Sequence, residues 1–374
     1  MRSRYSKWLL LHTFKPTVGG FCNMKKLKVG LVGIGRGTAY GRLFAGNNKT
    51  IVTALCDTHS ESLESCGRQF GLHDNQLFDN YDDLVNSDAD IIVIGTPIPV
   101  HADQAIKALE CNKHVLCEVT AANTLQDCER LFYAVQRSKG KYMLAENCNY
   151  MHFALEWNKL IKQGNLGNIY YAEADYVHEI RIAVEGQWRA QRAPLHYCSH
   201  SLGPLLLWMD DYIVKATGSG KATSIMGDIG VGAIDMQVAL FETNKGATIK
   251  VLRSSVATRQ PELCAYSVYG TKGFLETGRT GYDNIGLRYF EGLDEKTGKK
   301  IAVSSSNPDA PKDSGLGGHG TSEFFLVKDF INAIENDVPP AIDIVKALDM
   351  TIPGLIAHES AVKGNIWLDV PRFI

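Results

Sequence analysis

At 374 residues the chain is long enough for about two domains, each able to bury its own core. Its 39 Lys and Arg stand against 41 Asp and Glu with no single-sign tract, so neither nucleic acid nor a membrane surface is an expected partner. The nine cysteines include no C-x-x-C pair, which argues against a disulfide framework and a structural zinc site and fits reduced thiols in a cytoplasm.

Taken in order, Arg2, Arg4 and Lys7 precede Trp8 to Leu11, superficially like a signal peptide. That apolar core is too short, no small-residue cleavage site follows, and no later run approaches the roughly 20 residues that span a bilayer. Residues 1–23 therefore read as a disordered extension or an upstream start, with Met24-Lys25-Lys26-Leu27 as a natural beginning. Leu27 to Asp57 then gives an apolar run, a glycine-rich corner, a helix-length segment, a second apolar run and an acid. This is the order of a dinucleotide-binding strand, turn, helix and strand. Gly33, Gly35 and Gly37 leave room for a pyrophosphate at a helix N-terminus, and Thr38 stands where a third glycine is usual. Asp57, 24 residues after Gly33, is placed to accept hydrogen bonds from an adenosine ribose and to repel the extra phosphate of NADP, which favours NAD. Arg36 keeps NADP as the alternative.

A helix over Ser60 to Phe70 and a buried strand over Asp90 to Gly95 follow, then the loop Thr96-Pro97 to His101 and a helix over Ala102 to Glu110. Strands are expected at His114 to Cys117 and Tyr142 to Ala145, with a helix from Leu125 to Arg137 between them. Five alternations of strand and helix predict an α/β fold, a doubly wound parallel sheet over residues 24–148. Its carboxyl-end loops, at Gly33, Asp57, Thr96, Glu118 and Glu146, would face one crevice. From 149 to 374 the texture changes to a helix at Phe153 to Gln163 and then strands at Tyr170 to Ile180, Ile234 to Thr243, Ala247 to Val256 and Cys264 to Tyr269. Glycine corners between them suit antiparallel hairpins, and such a sheet needs one face covered by helices or another subunit. Two tail helices are expected, Ser322 to Asn336 and Ile344 to Lys363, and they could return to the first domain.

Thr96-Pro97-x-x-x-His101, Glu118 after the next strand, Tyr269-Gly270-Thr271-Lys272-Gly273 and a late Pro-Pro-x-x-Asp together resemble the Gfo/Idh/MocA oxidoreductase family over nearly all of the chain after residue 24. The resemblance implies an N-terminal Rossmann domain, a C-terminal α/β domain with an open, mainly antiparallel sheet, NAD(P)-dependent action on a sugar or cyclitol, and a homodimer or homotetramer built through that sheet. The family's dehydrogenases usually read Glu-Lys-Pro after the fourth strand, where this chain has Glu118-Val119-Thr120, so the usual lysine is absent. A branch without that lysine, the family 109 glycoside hydrolases, is similar at Glu118-Val119, Glu146-Asn147, Tyr176-Val177-His178 and Tyr197-Cys198-Ser199-His200 with Leu202-Gly203-Pro204. That likeness implies tyrosines and histidines lining a sugar pocket and Asn147 on the nicotinamide side. Where the branch carries Arg-Pro-Tyr-Ser, this chain has Arg259-Gln260-Pro261-Glu262-Leu263.

Valine 119 cannot move a proton, so another group must take the hydroxyl proton of a substrate alcohol. His200 is the first candidate, with Tyr197, Tyr176, His178 and Glu146 beside it; histidine titrates near neutrality, whereas tyrosine needs help. Each also has a bland use: Tyr176 and His178 as a packing pair on one sheet face, His200 as a cap on a helix opened by the Leu-Gly-Pro corner, Glu146 as a partner for an arginine. Glu146, His178 and His200 would together offer a divalent metal one oxygen and two nitrogens, although no ligand spacing supports one. Trp188, Arg189 and Arg192 are candidates to touch cofactor or sugar, with Arg189 placed on the cofactor side, and His319 is a candidate to close over the site. The leading expectation is an NAD-dependent oxidoreductase taking hydride from the third carbon of a sugar or glycoside. Its rivals are a redox-coupled glycosidase, which oxidises, eliminates, adds water and re-reduces, and a non-catalytic sugar or NAD sensor.

Overall fold

The computed structural model describes residues 25–180, 188–220, 235–257, 259–294 and 296–374, so the expected extension over 1–23 lies outside the described residues. The first half alternates β1 (Leu27–Val32), α1 (Ile34–Ala45), β2 (Thr50–Cys56), α2 (Ser60–Phe70), β3 (Leu77–Phe78), α3 (Tyr81–Val85), β4 (Ile91–Ile94), α4 (His101–Glu110), β5 (His114–Cys117), α5 (Leu125–Arg137) and β6 (Tyr142–Leu144). These strands form one parallel sheet in the order β3-β2-β1-β4-β5-β6. All four side chains of β4 are buried, as in a sheet covered on both faces. The chain reverses its direction of winding between β1 and β4, and ligands of such sheets bind outside the carboxyl ends there.

The second half holds α6 (His152–Lys162), β7 (Ile169–Val177), α7 (Ser199–Met209), β8 (Ile213–Ser219), β9 (Met236–Thr243), β10 (Thr248–Ser254), β11 (Leu263–Gly270), β12 (Gly273–Glu276), β13 (Asn284–Phe290), β14 (Lys299–Val303), α8 (Ser322–Glu335), α9 (Ile344–Asp349), α10 (Ile352–Val362) and β15 (Leu368–Asp369). Its nine-stranded sheet runs β14-β13-β12-β11-β7-β10-β9-β8-β15. Only the β7–β10 pair in it is parallel. On β9, Met236, Val238 and Leu240 alternate outward while Gln237, Ala239 and Phe241 are buried, so one face of this sheet presents an apolar row. One apolar core runs through both sheets. The tail closes back on the first sheet: the Leu144 amide donates to the Ile342 carbonyl at 3.1 Å.

Two local expectations are corrected. The tail segment expected as one helix from Ile344 to Lys363 is two, because Pro353 in the first turn of α10 lacks the N–H that a continuous helix would need. The Leu202-Gly203-Pro204 corner lies inside α7, which already begins at Ser199. Proline at 204 cannot donate to the carbonyl four residues earlier, that of His200, and the Tyr266 hydroxyl donates to it instead at 2.7 Å. An aromatic cluster anchors this helix, with Trp208 5.1 Å from Trp157 and 5.9 Å from Tyr266, and the Trp208 indole donating to the Ala154 carbonyl. Pairs of this kind add roughly 0.5–1.5 kcal/mol each beyond the area they bury.

Candidate active site

The glycine corner is built for close approach. Gly33 has φ +75°, and a Cβ there would lie 2.5 Å from the Thr96 amide nitrogen. A Cβ on Gly95 would meet the Gly37 nitrogen at 2.6 Å, so β1, α1 and the end of β4 touch backbone to backbone. Gly35, in contrast, has nothing within 4 Å of its Cβ position and faces the open groove lined by Ile34, Thr38, Asp57, His59 and Ser62. Asp57 at the end of β2 accepts from the Ile34 amide at 2.9 Å and the His59 amide at 3.0 Å. The first turn of α1 has no acidic residue and no side-chain cap, which leaves amides and the helix dipole for an anion. An adenosine ribose on Asp57 and a pyrophosphate on the Gly35 turn fit this groove.

The other residues expected at the cofactor fall into two groups. Thr96, exposed Pro97, Glu118, Val119 and buried Asn147 follow the carboxyl ends of β4, β5 and β6, at one edge of the parallel sheet. His101 is buried with its two ring nitrogens 2.9 Å from the Thr120 carbonyl and 2.7 Å from the Thr96 carbonyl, so it clamps the two loops together. Thr38 lines the groove, with its hydroxyl donating to the Ile34 carbonyl of its own helix. Arg36 meets no groove atom by hydrogen bond. Its guanidinium donates to Glu118 at 2.6 Å, Glu323 at 2.7 Å and the Gly317 carbonyl at 2.9 Å. Glu323 is fully buried and also bonds the His319 ring at 2.5 Å. Burial alone would raise its carboxyl, but His319 and Arg36 outweigh that and hold it down at about 2. The tail is thereby tied to the glycine corner, a link no motif announced. Arg189 is exposed, its guanidinium 4.7 Å from the Trp188 ring.

The catalytic candidates converge. Glu146, ending β6, is fully buried and lies 2.7 Å from Nδ1 of His200, whose Nε2 is 3.1 Å from the Tyr197 hydroxyl. Glu146 is therefore partnered by a histidine, not an arginine, and His200 sits in the first turn of α7 with its ring in this relay and not as a cap. Burial would raise the Glu146 carboxyl, yet the electrostatic pull and hydrogen bond of His200 prevail and lower it, so it is a carboxylate at neutral pH. Accepting from Nδ1–H fixes the tautomer and leaves the Nε2 lone pair toward Tyr197. Gly203 makes the approach possible, since a Cβ there would come within 2.9 Å of the Glu146 Cγ and 2.3 Å of the Asn149 Oδ1.

Tyr176 stacks on His178 with centroids 4.2 Å apart and lies 5.3 Å from His200. Burial pushes the Tyr176 and Tyr197 phenols up. Burial and the nearby Arg253 charge pull His178 down to about 4, so its ring is neutral at pH 7. Its Nε2 is 3.2 Å from Cys264 Sγ, which corrects the metal-ligand set considered from sequence. Among the described residues, the three groups that converge are Glu146, Cys148 and His200. Burial raises the Cys148 thiol, disfavouring the thiolate a metal would require, and Oε1 of Glu146 and Nδ1 of His200 are already bonded to each other.

Three neighbours escaped the sequence reading. Arg253 on β10 is almost fully buried, donates to the Tyr197 and Tyr176 carbonyls at 3.1 Å, and lies 4.5 Å from the Tyr176 ring. Tyr282, between β12 and β13, is 6.4 Å from Tyr176. Tyr266 holds the His200 carbonyl. Register could have found Arg253, which sits opposite Tyr176 across the β7–β10 pair; Tyr282 had no local signal because β12 and β13 were not foreseen.

Comparison with known proteins follows this division of the chain. Residues 27–146 match the model described as "Oxidoreductase family, NAD-binding Rossmann fold", and residues 158–367 match its "C-terminal alpha/beta domain". A "Glycosyl hydrolase family 109 protein" of Solibacter usitatus is 27% identical, with 93% of this chain and 88% of that protein covered. An "Alpha-N-acetylgalactosaminidase" of Shewanella oneidensis is 24% identical, covering 94% of this chain and 85% of that protein. Among solved structures, a levoglucosan dehydrogenase in complex with NADH and L-sorbose has a TM-score of 0.80 at 19% identity, covering 94% of this chain and all of that one. An oxidoreductase domain protein from Kribbella flavida also has a TM-score of 0.80, at 20% identity, with 93% of this chain and 100% of that chain covered.

Proposed function

Because this chain belongs to the Gfo/Idh/MocA oxidoreductase family, we propose that it is an NAD-dependent enzyme that oxidises a sugar or glycoside at the third ring carbon, with Glu146, His200 and Tyr197 as its proton relay. The observation that carries this reading is the relay itself, a buried carboxylate fixing a histidine whose free nitrogen meets a tyrosine hydroxyl. Bound NAD would supply the hydride acceptor at the substrate carbon.

The chain's own residues handle the proton. As the substrate hydroxyl loses its hydrogen, Tyr197 accepts it and passes its own phenolic proton to Nε2 of His200. The imidazolium so formed lies against the Glu146 carboxylate, whose charge stabilises it inside a buried site. High phenol pKa values keep Tyr197 and Tyr176 protonated at rest, which suits a relay in which the phenolate is fleeting. Neutral His178, with Cys264 at its Nε2, is placed to orient Tyr176 rather than to serve as a strong base.

A second reading has specific support in the absent lysine at 119 and in relatives named as family 109 glycosyl hydrolases. Once the third carbon is a ketone, the hydrogen on the second carbon becomes acidic, and its removal expels the group on the first. Water then adds, the hydride returns, and the net reaction is hydrolysis. Incubation with NAD and a panel of aryl glycosides separates the two. NADH accumulation without phenol indicates simple oxidation, phenol release without net NADH indicates redox-coupled hydrolysis, and neither product with any sugar refutes both. Assembly as a homodimer or homotetramer belongs to the same proposal, supported by the exposed Met236, Val238 and Leu240 row.

A further inference from the structure

Two guanidinium groups flank the relay, and neither forms an ion pair with a described residue. The Arg192 guanidinium lies 4.2 Å from the centroid of the Tyr197 ring, the ring whose hydroxyl meets His200, and Arg253 lies 5.1 Å from that centroid. Arg253 is occupied, with its Nε and Nη1 donating to backbone carbonyls of Tyr197, Tyr176 and Ser254. Arg192 is not. Its Nε is buried with no hydrogen-bond partner, and its side chain forms no ion pair or hydrogen bond with any described residue. Burial and the Arg253 charge pull the Arg192 guanidinium down to about 9, the mark of a cation lacking an anion.

Leaving such a group unpaired is costly, and proteins rarely retain one without a use. Stacking on tyrosine compensates only part of that cost, because a cation over an aromatic face recovers little of the lost hydration. The guanidinium is a planar fork that matches an oxyanion with two parallel hydrogen bonds. With Arg253 committed to carbonyls, one fork remains, enough for one monoanion.

We infer that the sugar received by this site carries a single oxyanion, the carboxylate of a sugar acid or a sulfate ester, and that Arg192 is the residue that binds it. The inference rests on the proposed sugar oxidation and narrows its substrate class. It also separates Arg192 from the relay, since the anion is held on the ring face of Tyr197 while proton transfer runs through its hydroxyl.

The test is calorimetric titration of the NAD-loaded protein with three ligands differing at one carbon: a methyl hexopyranoside, the matching methyl hexuronide and the matching 6-sulfate. A charged hydrogen-bonded pair of this kind should bind roughly 10- to 100-fold more tightly than the neutral glycoside. The arm with the higher affinity identifies the oxyanion. Arg192→Leu should abolish that preference while leaving neutral-glycoside affinity within a fewfold, and Arg192→Lys should retain part of it. Equal affinity for all three ligands in the unsubstituted protein overturns the inference, whether or not the leucine variant folds. Equal weakening of charged and neutral ligands in Arg192→Leu also overturns it, because that pattern means Arg192 only supports Tyr197. Binding needs no turnover, so the two readings fail separately. An Arg192-dependent uronide or sulfate preference with no redox chemistry refutes the oxidation alone, whereas turnover of neutral sugars without such a preference refutes this inference alone.

Discussion

Glu146→Gln isolates the electrostatic part of the relay, since it keeps the shape and an acceptor for Nδ1–H of His200 but removes the charge 2.7 Å away. Hydrogen bonds to charged groups contribute about 1.5–3 kcal/mol and neutral ones about 1, so the imidazolium formed during turnover should lose roughly 0.5–2 kcal/mol of stabilisation. At about 1.36 kcal/mol per decade, kcat should fall roughly 2- to 30-fold. NAD affinity should not change, because Asp57 and the Gly35 turn belong to a separate part of the crevice. Steady-state rates with saturating NAD and a turned-over glycoside measure the first quantity, and fluorescence titration with NAD the second. Acid stability supplies an independent readout. The Glu146 carboxyl is held below its ordinary 4.5, so the stability it contributes is complete above about pH 4.5 and is lost as pH falls through the lower folded value. The stability gap between the parent protein and Glu146→Gln should close on acidification. Unchanged kcat, or a loss expressed only in NAD affinity, refutes the assignment of Glu146 to the relay.

Other perturbations probe the remaining parts of the site. Gly35→Ala adds a methyl to open space and should leave the melting temperature of the cofactor-free protein unchanged while weakening NAD binding about tenfold or more, whereas Gly95→Ala, 2.6 Å from a backbone nitrogen, should cost roughly 1–3 kcal/mol of stability. Gly203→Ala removes no functional group but presses on Glu146, so kcat should fall at least tenfold with NAD affinity retained, as kinetics and titration would reveal. His178 and His196 are pulled down to about 4 and about 3, mainly by burial, so the unfolded chain takes up protons below its ordinary 6.5 that the folded one refuses. Stability should therefore drop as pH falls from about 6.5 toward 4, and His178→Gln should flatten that slope in melts at pH 7 and pH 5. Protein purified without added cofactor should release NAD on denaturation, detectable by enzymatic cycling, if the Arg36–Glu323 tie retains it; Arg36→Ala should purify with much less.

The parallel sheet was legible because each buried strand is a short apolar run bounded by turn residues, and α2 and α5 have the boundaries that spacing predicts. Glu146, His200 and Tyr197 were legible as candidates because chemistry-bearing types cluster at a strand end and in one short segment. Their contacts were not, because Glu146 and His200 are 54 residues apart and meet only once α7 packs its Gly203 against the end of β6. Local rules also misjudged Pro204, which would break an isolated helix but is accommodated here because the Tyr266 hydroxyl satisfies the carbonyl it abandons. The Arg36–Glu323 pair spans 287 residues and belongs to no local pattern. Long-range pairs between buried charges are set by tertiary packing, which sequence spacing does not encode.

Valine at 119 does more than remove a lysine. It is buried, and its amide donates to Glu118 at 3.1 Å while Glu118 accepts from Arg36, so the end of β5 is committed to structure. In the proposed reading, proton handling comes from His200 on α7, which packs on β7 of the second sheet and on the turn after β6, and cofactor binding from the corner at α1. Each is tied across the chain by a buried carboxylate: Glu146 to His200 on one side, Arg36 to Glu323 on the other. A buried carboxylate is tolerable only while its partners are present: Glu146 also accepts from the Cys148 amide, and Glu323 from the His319 amide and the Ser322 hydroxyl, but the charge-bearing partner supplies the strongest compensation. Disturbing the packing of one half against the other therefore leaves an uncompensated charge at the relay or at the cofactor corner. The same two contacts, one a carboxylate–imidazole hydrogen bond and the other an ion pair, thus couple the geometry of the proposed site to the packing of distant segments of the chain.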